Sequence, residues 1–524
     1  MVLTEISCSN EFERGCAQLA DMHLQALSNF RTMTPHRIAV RCLTLAALAA
    51  CSTTSQVTPV ISASVRPVVA TENGTLAGLV DPASGVFVFR GIPYAAPPIG
   101  DNRWRAPAPA ASWTGLRPAE RLGRNCIQDQ VYSDIDAFAA GISEDCLYLN
   151  VWTQTTNATA NRPVMVWIHG GGYTAGFGGE ERHNGSRLAQ KGAVVVTLNY
   201  RMGPFGFLAH PALAAELPVG ASGNYAIMDQ VAALRWVQRN IARFGGDPAK
   251  VTIFGESAGG SSVGALIGSP LANGLFRAGI LQSGNAVGSV RPRDDVYAEG
   301  ARFGWLLGVE GSGPDAAAKL RSISADSLQR ATRKPDGKGG FTSQFSTRLV
   351  RDGSVLPTTV DSALARGSAN AVPIIIGATG GEGDNAWATA RSFARLTVAQ
   401  NHRAYLYLFT RVGDDSVNRK RGAYHSADIT FTFGIPHPLL PSAGKTAYDS
   451  TLAEAMTDYF VSFANTLDPN GPPNAGKLPR WPVYESSTDA YMELGPEVAP
   501  RRGYHRVSAD SLDLIGRRRG DVRP

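Results

Sequence analysis

Residues 255–259 read Gly-Glu-Ser-Ala-Gly, and the apolar run Val251-Thr252-Ile253-Phe254 leads straight into them. A small-residue, helix-like stretch follows. That context constrains the fold more than the pentapeptide does. A serine on a tight strand-to-helix turn has its hydroxyl pushed out at the carboxyl end of a parallel sheet. Glycines on both sides permit the close backbone approach and strained dihedrals of such a turn. In a chain with 56 glycines the five residues alone can arise by chance. With a strand before them they mark Ser257 as the candidate nucleophile.

The rest of the chain suits such a sheet. Apolar, mostly β-branched runs at 164–168, 193–198, 250–254, 278–281, 373–377 and 404–409 alternate with helical stretches such as 226–243 and 452–466. The alternation predicts a mostly parallel sheet covered by helices on both faces. No linker interrupts the pattern between residues 70 and 490, so one large domain is expected there, and no internal repeat is present.

A second motif follows the first of these runs. His169-Gly170-Gly171-Gly172-Tyr173 comes directly after Val164-Met165-Val166-Trp167-Ile168. Acyl transfer builds an oxyanion, and holding it requires backbone N–H groups aimed at one point with no side chains in the way. Successive glycines after a buried strand supply that, with Gly171 and Gly172 as donors. Ala258, after the serine, adds a complementary N–H at a helix start.

Longer runs surround both motifs: Phe89-Arg90-Gly91-Ile92-Pro93-Tyr94-Ala95, Glu144-Asp145-Cys146-Leu147-Tyr148-Leu149-Asn150-Val151, Asn199-Tyr200-Arg201, Phe244-Gly245-Gly246-Asp247-Pro248, and Gln282-Ser283-Gly284. Over roughly 70–490 the chain resembles the type-B carboxylesterase and cholinesterase family, bacterial branch, of the α/β-hydrolase fold. The resemblance implies a serine carboxylic-ester hydrolase acting on small to medium esters through an acyl-enzyme, with no cofactor and no metal. Chain order serine, acid, histidine places the acid on the loop after Val372–Gly377, where Glu382 precedes a glycine; Asp384 is a chemical alternative. His425, in Tyr424-His425-Ser426-Ala427-Asp428 before Phe431-Thr432-Phe433-Gly434, matches the family's histidine loop, whereas His402 and His437 lack that frame. Two supporting roles carry over. Glu256 resembles a carboxylate beside the nucleophile that adds negative potential, and Ser283 resembles a serine that hydrogen-bonds the acid. Cys126 and Cys146 match cysteines that form a disulfide in the family.

The chain also departs from the family. His425 lies 43 residues after Glu382, where most members carry a longer, helix-rich insertion that walls the site. Residues 384–404 are expected instead to bridge almost at once to the next strand, which implies a more open catalytic floor. The Cys126–Cys146 loop holds no tryptophan, so an aromatic site for cationic choline heads is not expected. A detoxifying esterase for one bulky ester, carbamate or mycotoxin side chain is the rival enzyme. A catalytically silent surface-binding protein is the rival from another class.

A formal net charge of +6 sits on a chain only 18% charged, with its densest basic cluster, Arg517-Arg518-Arg519, near the end. Without basic–aromatic interleaving this excludes nucleic acid as the partner; a small-molecule ester is expected. Residues 491–524 read as a basic tail. At the other end, residues 1–50 read as a leader. Within it, 33–50 has a basic start and a short apolar core, and residues 1–32 have the look of an extension ahead of the true start at Met33. Leu48-Ala49-Ala50-Cys51 resembles a bacterial lipobox, which would lipidate Cys51, make 51–69 a linker and anchor the enzyme to the outer membrane. An ordinary cleaved signal, which would leave the enzyme periplasmic or secreted, or a disordered leader is the alternative. Of six cysteines, only Cys126 and Cys146 then remain in the mature chain, an even pair suited to an oxidising compartment. Two cysteines without partnered histidines make no zinc site.

Overall fold

The computed structural model describes residues 66–216, 222–337, 340–414, 416–435 and 446–504. Cys51, the leader and residues 505–524 lie outside them.

Eleven strands form the main sheet: β1 (Leu79–Val80), β2 (Phe87–Pro93), β3 (Tyr148–Thr153), β4 (Arg162–Ile168), β5 (Val194–Leu198), β6 (Gly246–Glu256), β7 (Ala278–Gln282), β8 (Ile374–Thr379), β9 (Ala404–Phe409), β10 (Ala490–Leu494) and β11 (Val498–Arg502). Their spatial order is β11-β10-β9-β8-β7-β6-β4-β5-β3-β2-β1. From β5 through β4 and on to β10 every neighbouring pair is parallel; the pairs outside that stretch are antiparallel. This is the α/β-hydrolase architecture that the motif order implied.

The continuous apolar runs are explained by burial on both faces. In β4, Val164, Val166 and Ile168 join one core while Met165 and Trp167 join the other. In β8, Ile374 and Ile376 point one way and Ile375 the other. The period-two alternation survives, but both sides are apolar because both are covered. Helix α1 (Tyr225–Asn240), α2 (Ala258–Gly268) and α3 (Asp384–Ala399) supply side chains such as Val231, Leu266 and Phe393 to the first core. Helix α4 (Ala447–Thr466) supplies Met456, Phe460 and Phe463 to the second. Each such side chain stabilises by roughly 1.5–3 kcal/mol on burial.

Two boundaries move. Residues 68–71 already pair with Gly74–Ala77, and β10 and β11 extend the sheet to Arg502. The fold therefore starts before 70 and runs past 490 into what the sequence suggested was a tail. Short strands following a proline- and glycine-rich segment carry no periodicity long enough to read. The segment after Glu382 is also more than a bridge: residues 384–399 form the sixteen-residue helix α3. Among the described residues no helix is long and apolar enough to cross a membrane.

Candidate active site

The candidate nucleophile sits where two neighbouring parallel strands end. Gly255 of β6 faces Ile168 of β4, so the turn after β6 and the glycine loop after β4 leave the sheet side by side. Ser257 lies between β6 and α2 with φ 57° and ψ −120°, a conformation that costs an L-residue about 1–3 kcal/mol. The flanking glycines make it possible. A methyl group on Gly259 would lie 1.9 Å from the Ile168 carbonyl oxygen, and one on Gly255 would lie 2.6 Å from that same atom. The turn is locked from below, where Ser257 N–H donates to the Gln282 carbonyl at 2.8 Å.

His425 and Glu382 arrive from the ends of β9 and β8. Ser257 Oγ lies 2.7 Å from His425 Nε2, and His425 Nδ1 lies 2.5 Å from Glu382 Oε1. The carboxylate fixes the tautomer. Nδ1–H donates to it, leaving Nε2 free to accept the serine proton. The other oxygen of Glu382 is held three ways, by Ser283 Oγ–H at 2.6 Å, Thr379 N–H at 2.7 Å and Thr379 Oγ1–H at 3.1 Å. Glu382, and not Asp384, therefore meets the histidine; Asp384 opens α3.

Charge around His425 is arranged to favour the imidazolium. Burial pulls its pKa down, but the hydrogen bond to Glu382 and the potentials of Glu256, Glu382 and Asp428 outweigh burial and raise it to about 9. Glu256 Oε1 lies 3.3 Å from His425 Nε2 and accepts from Ser426 Oγ–H at 2.6 Å. Burial drives Glu256 up to about 7, with His425 as the main opposing influence. Burial also pushes Glu382 upward, yet its donors and His425 hold it below the ordinary carboxylate range. Asp428 lies beneath, fully buried, and accepts from Tyr407 Oη–H at 2.7 Å and Gln282 Nε2–H at 3.0 Å.

The glycine loop completes the site. Gly171 has φ 98° and Gly172 φ 61°, and a methyl group on Gly171 would lie 2.0 Å from the Ala175 carbonyl oxygen. Neither Gly171 N–H nor Gly172 N–H donates to another described residue. Ala258 is the first residue of α2, so its N–H stands at the positive end of that helix. Tyr200 Oη–H donates to the His169 carbonyl at 2.8 Å and its ring stacks on the imidazole at 4.4 Å. Burial takes His169 down to about 4, so it stays neutral and structural. Cys126 and Cys146 are joined, with S–S 2.00 Å and Cα–Cα 5.0 Å. No cluster of metal-ligating side chains occurs among the described residues.

The structure thus brings together Ser257, Glu382, His425, Glu256 and Ser283, with Gly171, Gly172 and Ala258 alongside. Sequence reasoning missed Thr379, Ser426 and Asp428. The last two stand within three residues of His425 and share its motif, which was the available signal. Thr379 ends β8 and had none.

Comparison with known proteins agrees with this geometry. The model of the carboxylesterase family matches residues 65–392 and 385–510. Fumonisin B1 esterase of Sphingopyxis macrogoltabida is 35% identical over 82% of the chain and 87% of its own length. Para-nitrobenzyl esterase of Bacillus subtilis is 33% identical over 82% and 95%. Among solved structures, a carboxylesterase of Geobacillus stearothermophilus superposes with a TM-score of 0.70 at 33% identity, covering 84% of this chain and all of the other.

Proposed function

Because the chain belongs to the carboxylesterase family and is a carboxylic ester hydrolase, we propose that Ser257 is its nucleophile, His425 its general base and Glu382 the group that orients and charges the base. The observation that carries this reading is the unbroken line from Ser257 Oγ through His425 to Glu382 at 2.7 and 2.5 Å. As the serine oxygen attacks the ester carbonyl, its proton passes to Nε2. The imidazolium that forms is favoured by the surrounding carboxylates. The carbonyl oxygen, now an anion, is met by the N–H groups of Gly171, Gly172 and Ala258. Collapse expels the alkoxide, which takes the proton from Nε2 and leaves as alcohol, and the acyl group stays on Ser257. Water, deprotonated by His425, repeats the sequence and releases the carboxylic acid. No cofactor enters either half.

The substrate reading is small to medium esters with short acyl groups. His425 is 46% exposed, which suits a shallow site left by the short acid-to-base connection. Each methylene left wet forfeits about 0.8 kcal/mol. The test is kcat/KM for p-nitrophenyl esters from acetate to palmitate below their micelle thresholds. A plateau or fall beyond roughly butyrate to hexanoate is expected from that lost burial; a steady rise to dodecanoate would refute it. The similarity to fumonisin B1 esterase supports a second reading, in which the open site admits one bulky ester. Export through the leader, with Cys51 as the anchor, belongs to the same proposal and rests on the lipobox-like residues alone.

A further inference from the structure

The disulfide-closed segment between Cys126 and Cys146 runs over the glycine loop and is tied down at several points. Gln128, itself buried, pairs its amide with the Gly176 peptide: Gly176 N–H donates to Oε1 at 2.8 Å and Nε2–H donates to the carbonyl at 3.0 Å. Asp129 accepts from Gln329 Nε2–H and from Arg333, each at 2.6 Å. On the other side Asp134 accepts from Arg182 at 2.8 Å. Ile135 Cδ1 would lie 3.4 Å from a methyl group on Gly171, so this segment packs directly on the loop. Between Asp129 and Asp134 the chain is braced internally, Gln130 Nε2–H donating to the Tyr132 carbonyl at 2.5 Å and Ala137 N–H to Gln130 Oε1 at 3.1 Å.

At the centre of this braced stretch, Tyr132 does no structural work that its neighbours do not already perform. It is 40% exposed, so packing does not explain it. A methyl group on Gly172 would lie 2.9 Å from its hydroxyl oxygen, which therefore hangs over the backbone that presents the Gly172 N–H. Among the described residues that hydroxyl has no hydrogen-bond partner. An exposed hydroxyl carried on a braced segment and set against Gly172 is suited to meet substrate.

We propose that Tyr132 is a specificity-determining residue, whose hydroxyl donates a hydrogen bond to an acceptor oxygen that the ester's acyl group carries on its α or β carbon. The proposal rests on the oxyanion role given above to Gly172. It deepens that reading by naming the substrate class: α- or β-oxygenated acyl esters ahead of plain aliphatic ones of equal length. The hydroxyl is solvated when the site is open, so the gain on binding is the modest net value of exchanging water for an oriented acceptor. Tyr→Phe removes the donor and keeps the ring.

The test measures kcat/KM of the wild type and of Tyr132→Phe for p-nitrophenyl methoxyacetate and for p-nitrophenyl butyrate. Their intrinsic reactivities differ, but that difference cancels when the ratio of the two values is compared between enzymes. The ratio should fall about three- to tenfold in Tyr132→Phe, with the change carried mainly by KM. An unchanged ratio would overturn the proposal, whether or not both values drop together, since a merely structural tyrosine affects both esters alike. Ser257→Ala runs alongside. Turnover retained by that variant would overturn the underlying reading, and the proposal with it.

Discussion

The two halves of the site are built by different means. Ser257 and the glycine loop are placed by backbone: adjacent parallel strands, a strained serine at φ 57°, and Gly171, Gly255 and Gly259 where a methyl group would strike a carbonyl. Glu382 and His425 are placed by side chains. Ser283 and Thr379 hold the acid, and Glu256, through Ser426, braces the loop that carries the base. Exposure does not separate the halves: Ser257 and Gly171 are half-buried, Gly172 is exposed, and the histidine is nearly half exposed. The contrast teaches that the proposed nucleophile is preorganised by the fold itself. The base depends on a small polar network and should be the half that conservative substitutions perturb.

The sharpest way to break this contrast is Glu382→Gln, which keeps shape and removes charge. Loss of the imidazolium's partner should lower kcat by about 10⁴-fold, while Asp384→Asn leaves it within a small factor. Steady-state kinetics on p-nitrophenyl acetate checks both, and reversed effects would move the acid to Asp384. A smaller effect is expected of Ser283→Ala, which removes one of three donors to Glu382 Oε2. A hydrogen bond to a charged group is worth about 1.5–3 kcal/mol, so kcat should drop on the order of tenfold without unfolding. An unchanged kcat would show that Thr379 alone suffices.

The smallest effect is a displacement along the pH axis. The base must be neutral to accept the serine proton, so kcat/KM should rise with pH through the His425 pKa, which lies at about 9. Glu256 helps to keep it there. In Glu256→Gln the imidazolium loses that potential, deprotonates more readily, and the acid limb should move to lower pH by roughly one to two units. A limb that stays in place would remove Glu256 from the electrostatics of the base.

Legibility in the sequence follows the same division. The turn around Ser257 and the loop at Gly171 and Gly172 are read from contiguous residues, because strain and close approach demand glycine at fixed offsets. Glu382 and His425 needed the family resemblance, since a lone glutamate or histidine carries no local signal. Asp428 and the Gln128–Gly176 pairing escaped notice because tertiary packing alone brings their partners together. The strands 490–494 and 498–502 escaped for a related reason: five-residue edge strands are specified by the sheet they join.

The central claim is that Ser257, among all the hydroxyls of this chain, is made nucleophilic by His425. Mass mapping after treatment with a fluorophosphonate tests it most directly. The wild type should gain one adduct, on the peptide holding Ser257, as turnover is lost, and His425→Ala should label far more slowly. An adduct on another serine, or full inactivation with Ser257 unmodified, would contradict the account.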